Sequence, residues 1–407
     1  MVTRRLFVKS SAMAMLSMGF APAFLTRTAE AAGKGRRLLI AIFQRGAADG
    51  LNIVVPHGDA DYYRLRPSIA IPRPNSADLA AIDLDGQFGL HPRLAPLKPF
   101  WDNKSLAVVH ACGSPDATRS HFDAQDYMES ATPGVKSTSD GWLNRYLAVT
   151  DLAHNPLRGV ALARQMPRSL QGPAPALAIG SVGGFAVRGG AAQSFEAAYV
   201  RAADSVLAQS SAEAFDAMRT LQRATANRPA TETRVDYPRS PFGQALQEIA
   251  SIAKADVGLE VAFAESTNWD HHVNEGGSAG QLALRVDDLA QGIAALAADL
   301  GDRLADTVIL TMSEFGRRAA QNGNGGTDHG HGNAMFLIGG PVRGGRVYGR
   351  WPGLAPESLY DGRDLAVTTD FRDVFADVVT GHLGADRAVL ARIFPGYTPS
   401  KGLGLVG

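Results

Sequence analysis

Five short apolar runs punctuate the chain: RLLIAIF (37–43), SLAVVHA (105–111), VGLEVAFA (257–264), DTVILTM (306–312) and AMFLIGG (334–340). Runs of this length, rich in β-branched and aliphatic residues, predict strands buried on both faces. Between them apolar positions recur at helical spacing. The pattern predicts helices over 92–103, 120–130, 194–224, 241–255, 280–304 and 371–384, the last stopping on Gly384. Strands alternating with helices predict an α/β fold, a mostly parallel central sheet with helices on both faces. In such sheets chemistry gathers at the carboxyl ends of the strands. A functional motif should therefore begin where a strand stops.

Acid and imidazole residues cluster at those positions. LLIAIFQRGAADG leads from the first strand to Asp49, and LAVVHACGSPDATRSH leads to Arg119, Ser120 and His121. LEVAFAESTNWDHH ends in Asp270, His271 and His272; TVILTMSEFGRR carries Glu314; GGTDHGHGN carries Asp328, His329 and His331. Five of the ten histidines fall in these segments. Converging Asp, Glu and His suit a borderline divalent cation, because carboxylates offset its charge and imidazoles give directional nitrogen donors.

Each residue also has a structural reading. Asp49 precedes Gly50 and could serve only a turn. Ser120 could be an N-cap, although a helix N-terminus also offers free N–H groups to an oxyanion. Glu314 could pair with Arg317 or Arg318. The Asp270-His271-His272 and Asp328-His329-Gly330-His331 groups favour a site, while His57, His91, His110, His154 and His382 read as core or surface residues.

Composition narrows the classes. The chain has 407 residues, 45% of them hydrophobic, which suits a globular protein with a real core. Its start, MVTRRLFVKSSAMAMLSMGFAPAFLTRTAEAA, sets a twin-arginine stretch before a short apolar run and an A-x-A cleavage site, the plan of a twin-arginine export signal over residues 1–32. Losing it removes four of the 40 basic and one of the 40 acidic residues, leaving 36 and 39. That balance argues against nucleic acid, and no membrane span is expected after cleavage. A single cysteine, Cys112, excludes an internal disulfide. Residues 33–407 are expected to form one domain, with an insertion or subdomain at about 164–240 that forms one wall of the site.

Jointly, FQRGAADGLNIVVP, SHFDAQDYME, NWDHHVN, SEFGRR and GTDHGHGN resemble an exported family, domain-of-unknown-function family 1501, whose fold is similar to the alkaline phosphatase and sulfatase superfamily. The resemblance implies a sandwich with metal at the strand ends. It matches Asp49, Asp270, His272 and His329 to metal positions, with Asp328 as an added ligand or orienter; Glu314 and His331 are further candidate ligands, and zinc, manganese or calcium the candidate divalent ion. It makes Ser120 the counterpart of the nucleophile. Two departures stand out: Phe315 where a histidine ligand is usual, and a compressed Asp270-x-His272 spacing.

The expected function is exported, metal-dependent hydrolysis of a phosphate or sulfate ester in a small molecule or polymer. Arg119 and the helix N-terminus would steady the transferred group, and His121 or His271 would serve as general acid. The alternatives are a non-catalytic exported binding protein and a cell-envelope partner of a second exported protein.

Overall fold

Along Leu38–Gln44 (β1) every residue is buried, and successive side chains enter opposite cores. Leu38, Ile40 and Ile42 join one apolar cluster; Leu39, Ala41 and Phe43 join another. A strand covered on both faces belongs in the middle of a layered sheet. The computed structural model describes residues 37–150, 155–181, 217, 219–221, 223, 235–400 and 402–407. The export signal, His154 and most of the expected 194–224 helix lie outside the described residues.

The other strands of the sheet are Leu106–Gly113 (β2), Gly159–Leu162 (β3), Leu177–Ile179 (β4), Val261–Ser266 (β5), Thr307–Met312 (β6), Asn333–Ile338 (β7), Arg346–Tyr348 (β8) and Thr369–Asp370 (β9). Their order is β8-β2-β7-β6-β1-β5-β3-β4, with β9 also on β2. All pairings are parallel except those of β7, which runs antiparallel to β2 and β6. A mixed, mostly parallel sheet with helices around it is the α/β architecture the apolar runs predict.

One face of the sheet is covered by Pro241–Lys254 and Gln281–Leu300, the other by Trp142–Thr150 and Phe371–Asp377. The first of these helices starts where Ser240 Oγ accepts the Gly243 N–H at 2.9 Å, a side-chain cap. The expected 92–103 helix divides into a 3-10 turn, Pro92–Leu97, and a short helix, Lys98–Asp102. Pro96 and Pro99 supply no N–H to continue one regular ladder. The end of the 371–384 pattern is a π turn, Val378–His382. Within the stretch read as an insertion from about 164, Leu177–Ile179 is the edge strand of the main sheet.

The reversed direction of β7 matters for function. Because it runs against its neighbours, it begins at the edge where β6 ends. Residues 313–332 therefore form a long hairpin connection that leaves and re-enters the sheet at the carboxyl edge, beside the segments following β1, β2 and β5. A loop of this length inside a compact fold is usually functional.

Candidate active site

Three segments meet over that edge. His121 starts the helix His121–Ser130, Asp270 follows β5, and His329 sits on the β6–β7 hairpin. One donor atom from each lies within 4.8 Å of the others. His272 adjoins them, its Nε2 3.0 Å from Asp270 Oδ1 and 3.0 Å from His329 Nε2. Two imidazole nitrogens at that distance share a proton or a cation, because bare lone pairs would repel.

The second nitrogens identify which atoms face the site. His329 Nδ1 lies 2.8 Å from the Arg119 carbonyl, which can only accept, so Nδ1 carries the proton and Nε2 presents a lone pair. His121 Nδ1 lies 2.9 Å from Glu314 Oε1, while its Nε2 is buried without a hydrogen-bond partner and 3.4 Å from Asp270 Oδ2. An orphaned, inward-facing nitrogen beside a carboxylate is a donor of the kind that binds a cation. His121, His329 and Asp270, two imidazoles and one carboxylate, make a nitrogen-rich donor set that suits zinc better than calcium, which takes oxygen ligands, and His272 stands beside it.

Glu314, expected among the ligands, is fully buried and already saturated. Oε1 accepts from Gln125 Nε2 at 2.8 Å and the Gly46 N–H at 2.9 Å besides His121; Oε2 accepts from Ser313 Oγ at 3.0 Å. Burial pushes its carboxyl upward, but the bonds from His121 and Gln125 outweigh that and hold it below the usual range. The same bond raises His121 above the ordinary histidine value. His329 moves the other way, lowered by burial and by the nearby His121 and Arg317. Glu314 thus stands behind His121 as an orienting carboxylate, an arrangement common around metal-ligating histidines. Phe315, at the position where a ligand was expected, packs with Ala47 and Ala124, its ring 5.1 Å from that of His121 and 5.0 Å from that of His329. It forms an apolar floor beneath two imidazoles.

Arg317 holds the constellation together. It is 1% exposed, and Nη2 donates to Asp270 Oδ1 at 2.6 Å. Its remaining bonds go to the carbonyls of Ala47 (2.7 Å), Gly46 (2.6 Å), Trp269 (3.1 Å) and Thr327 (3.1 Å). One guanidinium therefore ties the loops after β1 and β5 to the hairpin. Burial would raise the Asp270 carboxyl, yet Arg317 lowers it below the usual value. Gly46 permits the approach: at φ 116°, a Cβ there would fall 2.7 Å from the Asp270 nitrogen. Arginine bonds to backbone carbonyls leave no mark in sequence, and the sequence suggested Arg317 only as a partner for Glu314.

Other expected residues lie apart. Asp49, 2% exposed, does not join the cluster; both its oxygens are engaged by Arg66, Nη2 at 3.0 Å and Nη1 in a short contact. Arg66 also donates to Asn52 Oδ1 at 2.8 Å and the Ala319 carbonyl at 2.9 Å. Nearby Glu275 is buried, accepts from Thr327 Oγ1 at 2.7 Å, and has its carboxyl raised well above normal by burial and by Asp49. This is a buried charge network beneath the site. His331 turns away as well: Nε2 donates to the Ser114 carbonyl at 2.8 Å, and its ring lies 4.7 Å from Tyr360. His271 is buried and lowered to about 4 by burial and Arg317, which makes it a poor proton donor. The Arg119 side chain is held by Asp364 rather than aimed at the cluster.

Asp328 stays at the rim, with Oδ1 3.6 Å from His272 Nδ1 and 3.1 Å from Asn322 Nδ2. The bond from Asn322 lowers its carboxyl. Ser120 is the N-cap residue of the His121–Ser130 helix but makes no side-chain cap bond. The histidines read as structural behave so: His57 meets Asp83 at 2.9 Å, and His91, His110 and His382 bond to the carbonyls of Gly277, Val54 and Leu38.

The fold and site define an α/β protein with a histidine–aspartate cluster at the carboxyl edge of a mostly parallel sheet. The chain belongs to the family described as protein of unknown function DUF1501, whose model matches residues 105–394. No curated protein matches it. Among solved structures it is similar to the PsFucS1 sulfatase from Pseudoalteromonas sp., at 13% identity over 81% of this chain and 68% of that one, with a TM-score of 0.30. Among the described residues no helix is long and apolar enough to cross a membrane.

Proposed function

We propose that the chain is an exported, metal-dependent hydrolase of phosphate or sulfate esters. The observation that carries this reading is the convergence of His121, Asp270 and His329 from three distant segments, with donors within 4.8 Å of one another. These three residues would hold a divalent cation, leaving room for one more ligand as catalytic sites do. When bound, such a cation polarises an ester oxygen and lowers the pKa of water beside it.

The chain's own groups divide the remaining work. Glu314 keeps His121 turned so that Nε2 faces inward, and the Arg119 carbonyl does the same for His329. Arg317 occupies Asp270 Oδ1 and leaves Oδ2 toward His121. His272, with 41% of its side chain exposed, lies within 3.0 Å of two cluster atoms and is best placed to pass a proton to a leaving oxygen. Ser120, immediately before His121 in the chain, supplies a candidate nucleophile.

Purified protein should contain stoichiometric metal and hydrolyse an aryl phosphate or aryl sulfate, with Asp270→Asn and His329→Ala losing both. His272→Ala should keep the metal and lose turnover, and Ser120→Ala separates attack by serine from attack by water. Metal-free protein whose activity toward these esters is absent, or indifferent to Asp270 and His329, removes the reading.

A further inference from the structure

Beside the cluster, over the carboxyl ends of β3, β4 and β5, lies a cavity of about 880 Å³. Its wall includes Thr267 and Asn268, on the same loop as Asp270, and Arg45, next to Gly46. Arg45 links it to the cluster, since Arg45 Nη1 donates at 3.1 Å to Gln125, which in turn donates to Glu314. A volume of this size accommodates a ligand as large as a disaccharide.

Its charge is uneven. Arg45 is neutralised by Glu129 and Glu265, and Arg168 by Asp126. Arg164 and Arg285 also line the cavity, and neither has a carboxylate or hydrogen-bond acceptor among the described residues. Arg285 is half-buried, so its charge is paid for by neither full hydration nor a partner. Asp288, three residues further along the same helix, accepts from Ser240 Oγ at 2.7 Å. Leu162 and Phe242 supply apolar wall in the same cavity. Two unpartnered guanidiniums lining one cavity with apolar groups suit a ring carrying an anionic oxygen group.

We infer that this cavity is a subsite for a second sulfate, phosphate or carboxylate group, borne on a sugar-sized body attached to the reacting ester. The inference rests on the hydrolase reading for its purpose and narrows the substrate class to extended polyanions. The free guanidiniums fix the distal anion; the cluster acts on the proximal one.

The test uses the full-length mature protein and the double variant Arg164→Gln/Arg285→Gln. Neither arginine has a partner to orphan, and a circular dichroism spectrum and melting curve matching wild type verify folding. Calorimetric titration with a disulfated disaccharide should show binding weakened about tenfold or more in the double variant, as expected for loss of charge-assisted bonds. KM for the disulfated substrate should rise while kinetics on an aryl monosulfate stay as in wild type. Equal disaccharide affinity in the two proteins, or none in wild type, overturns the subsite. If wild type hydrolyses no ester but binds the disaccharide through Arg164 and Arg285, the subsite stands and the hydrolase reading falls.

Discussion

His121 Nδ1 and Glu314 Oε1 are 2.9 Å apart although the residues are 193 positions apart in sequence. The carboxylate accepts, the imidazole donates, and the opposite nitrogen is left facing Asp270. Replacing Glu314 with glutamine keeps the volume but removes the charge and offers His121 an amide. The expected result is metal affinity or turnover lower by about 10–100-fold, with the fold retained. Metal content after dialysis against a graded chelator, read beside kcat, checks it. Unchanged values in both would show that Glu314 does not orient His121.

Arg317 should matter more for stability than for chemistry alone. Lysine has at most three donors and no fork, so Arg317→Lys leaves at least two of its five acceptors, Asp270 Oδ1 and the carbonyls at 46, 47, 269 and 327, unserved. Each unmet buried acceptor costs about 1–3 kcal/mol. Urea unfolding should therefore give a stability lower by roughly 3 kcal/mol or more on that principle. A midpoint equal to wild type would remove Arg317 from its role as a tie between loops.

Asp49 and Asp270 are predicted to separate cleanly. Asp49→Asn strands the fully buried Arg66 without a carboxylate, a change that costs about 3–5 kcal/mol in comparable buried pairs. Metal content per folded molecule should be unchanged. Asp270→Asn, at a residue whose side chain is 42% exposed, should do the reverse and lose metal with a much smaller shift in unfolding. If Asp49→Asn empties the site while stability holds, the placement of Asp49 beneath the cluster has been misread chemically.

Acid should weaken the fold through histidines far from the site. His91 and His110 are each lowered to about 4, chiefly by burial. Each uses both nitrogens as a neutral ring: Nδ1 accepts a backbone N–H, from Arg93 at 3.0 Å and Ala111 at 2.8 Å, and Nε2 donates to a carbonyl. Unfolded, they titrate near 6.5, so between pH 6.5 and 4 the unfolded chain binds more protons and stability falls as pH falls. The contribution is present in full above about 6.5 and amounts to on the order of 3 kcal/mol per residue at most. Unfolding midpoints across that window check it. His110→Gln should flatten the slope, and a slope unchanged by it excludes His110 as a source.

The parts of the fold legible in sequence were those where burial is continuous. Leu38–Gln44, Thr307–Met312 and Asn333–Ile338 are buried throughout and mostly apolar because neighbours cover both faces. Gly159–Leu162, Leu177–Ile179 and Arg346–Tyr348 escaped notice because strands of three or four residues toward or at the sheet's edges need little apolar length. Trp142–Thr150 had a readable signal in WLNRYLAV, whose Trp142 stacks on Phe375 at 4.3 Å. At the site, Asp270, His272 and His329 stood out because acid and imidazole follow directly on buried strands. Asp49 has the same sequence context and a different role. What decides it is Arg66, seventeen residues on, whose burial nothing in its local sequence foretells.

The antiparallel course of β7 has a consequence for how the chain matures. The clustered groups come from residues 121, 270, 272 and 329, and the last arrives only when β7 has docked between β2 and β6. No fragment ending before that hairpin contains a complete nest of donors, so on the proposed metal-dependent reading ion uptake would serve as a late checkpoint. A polypeptide able to retain a cation there would, by that fact, have docked its last long strand.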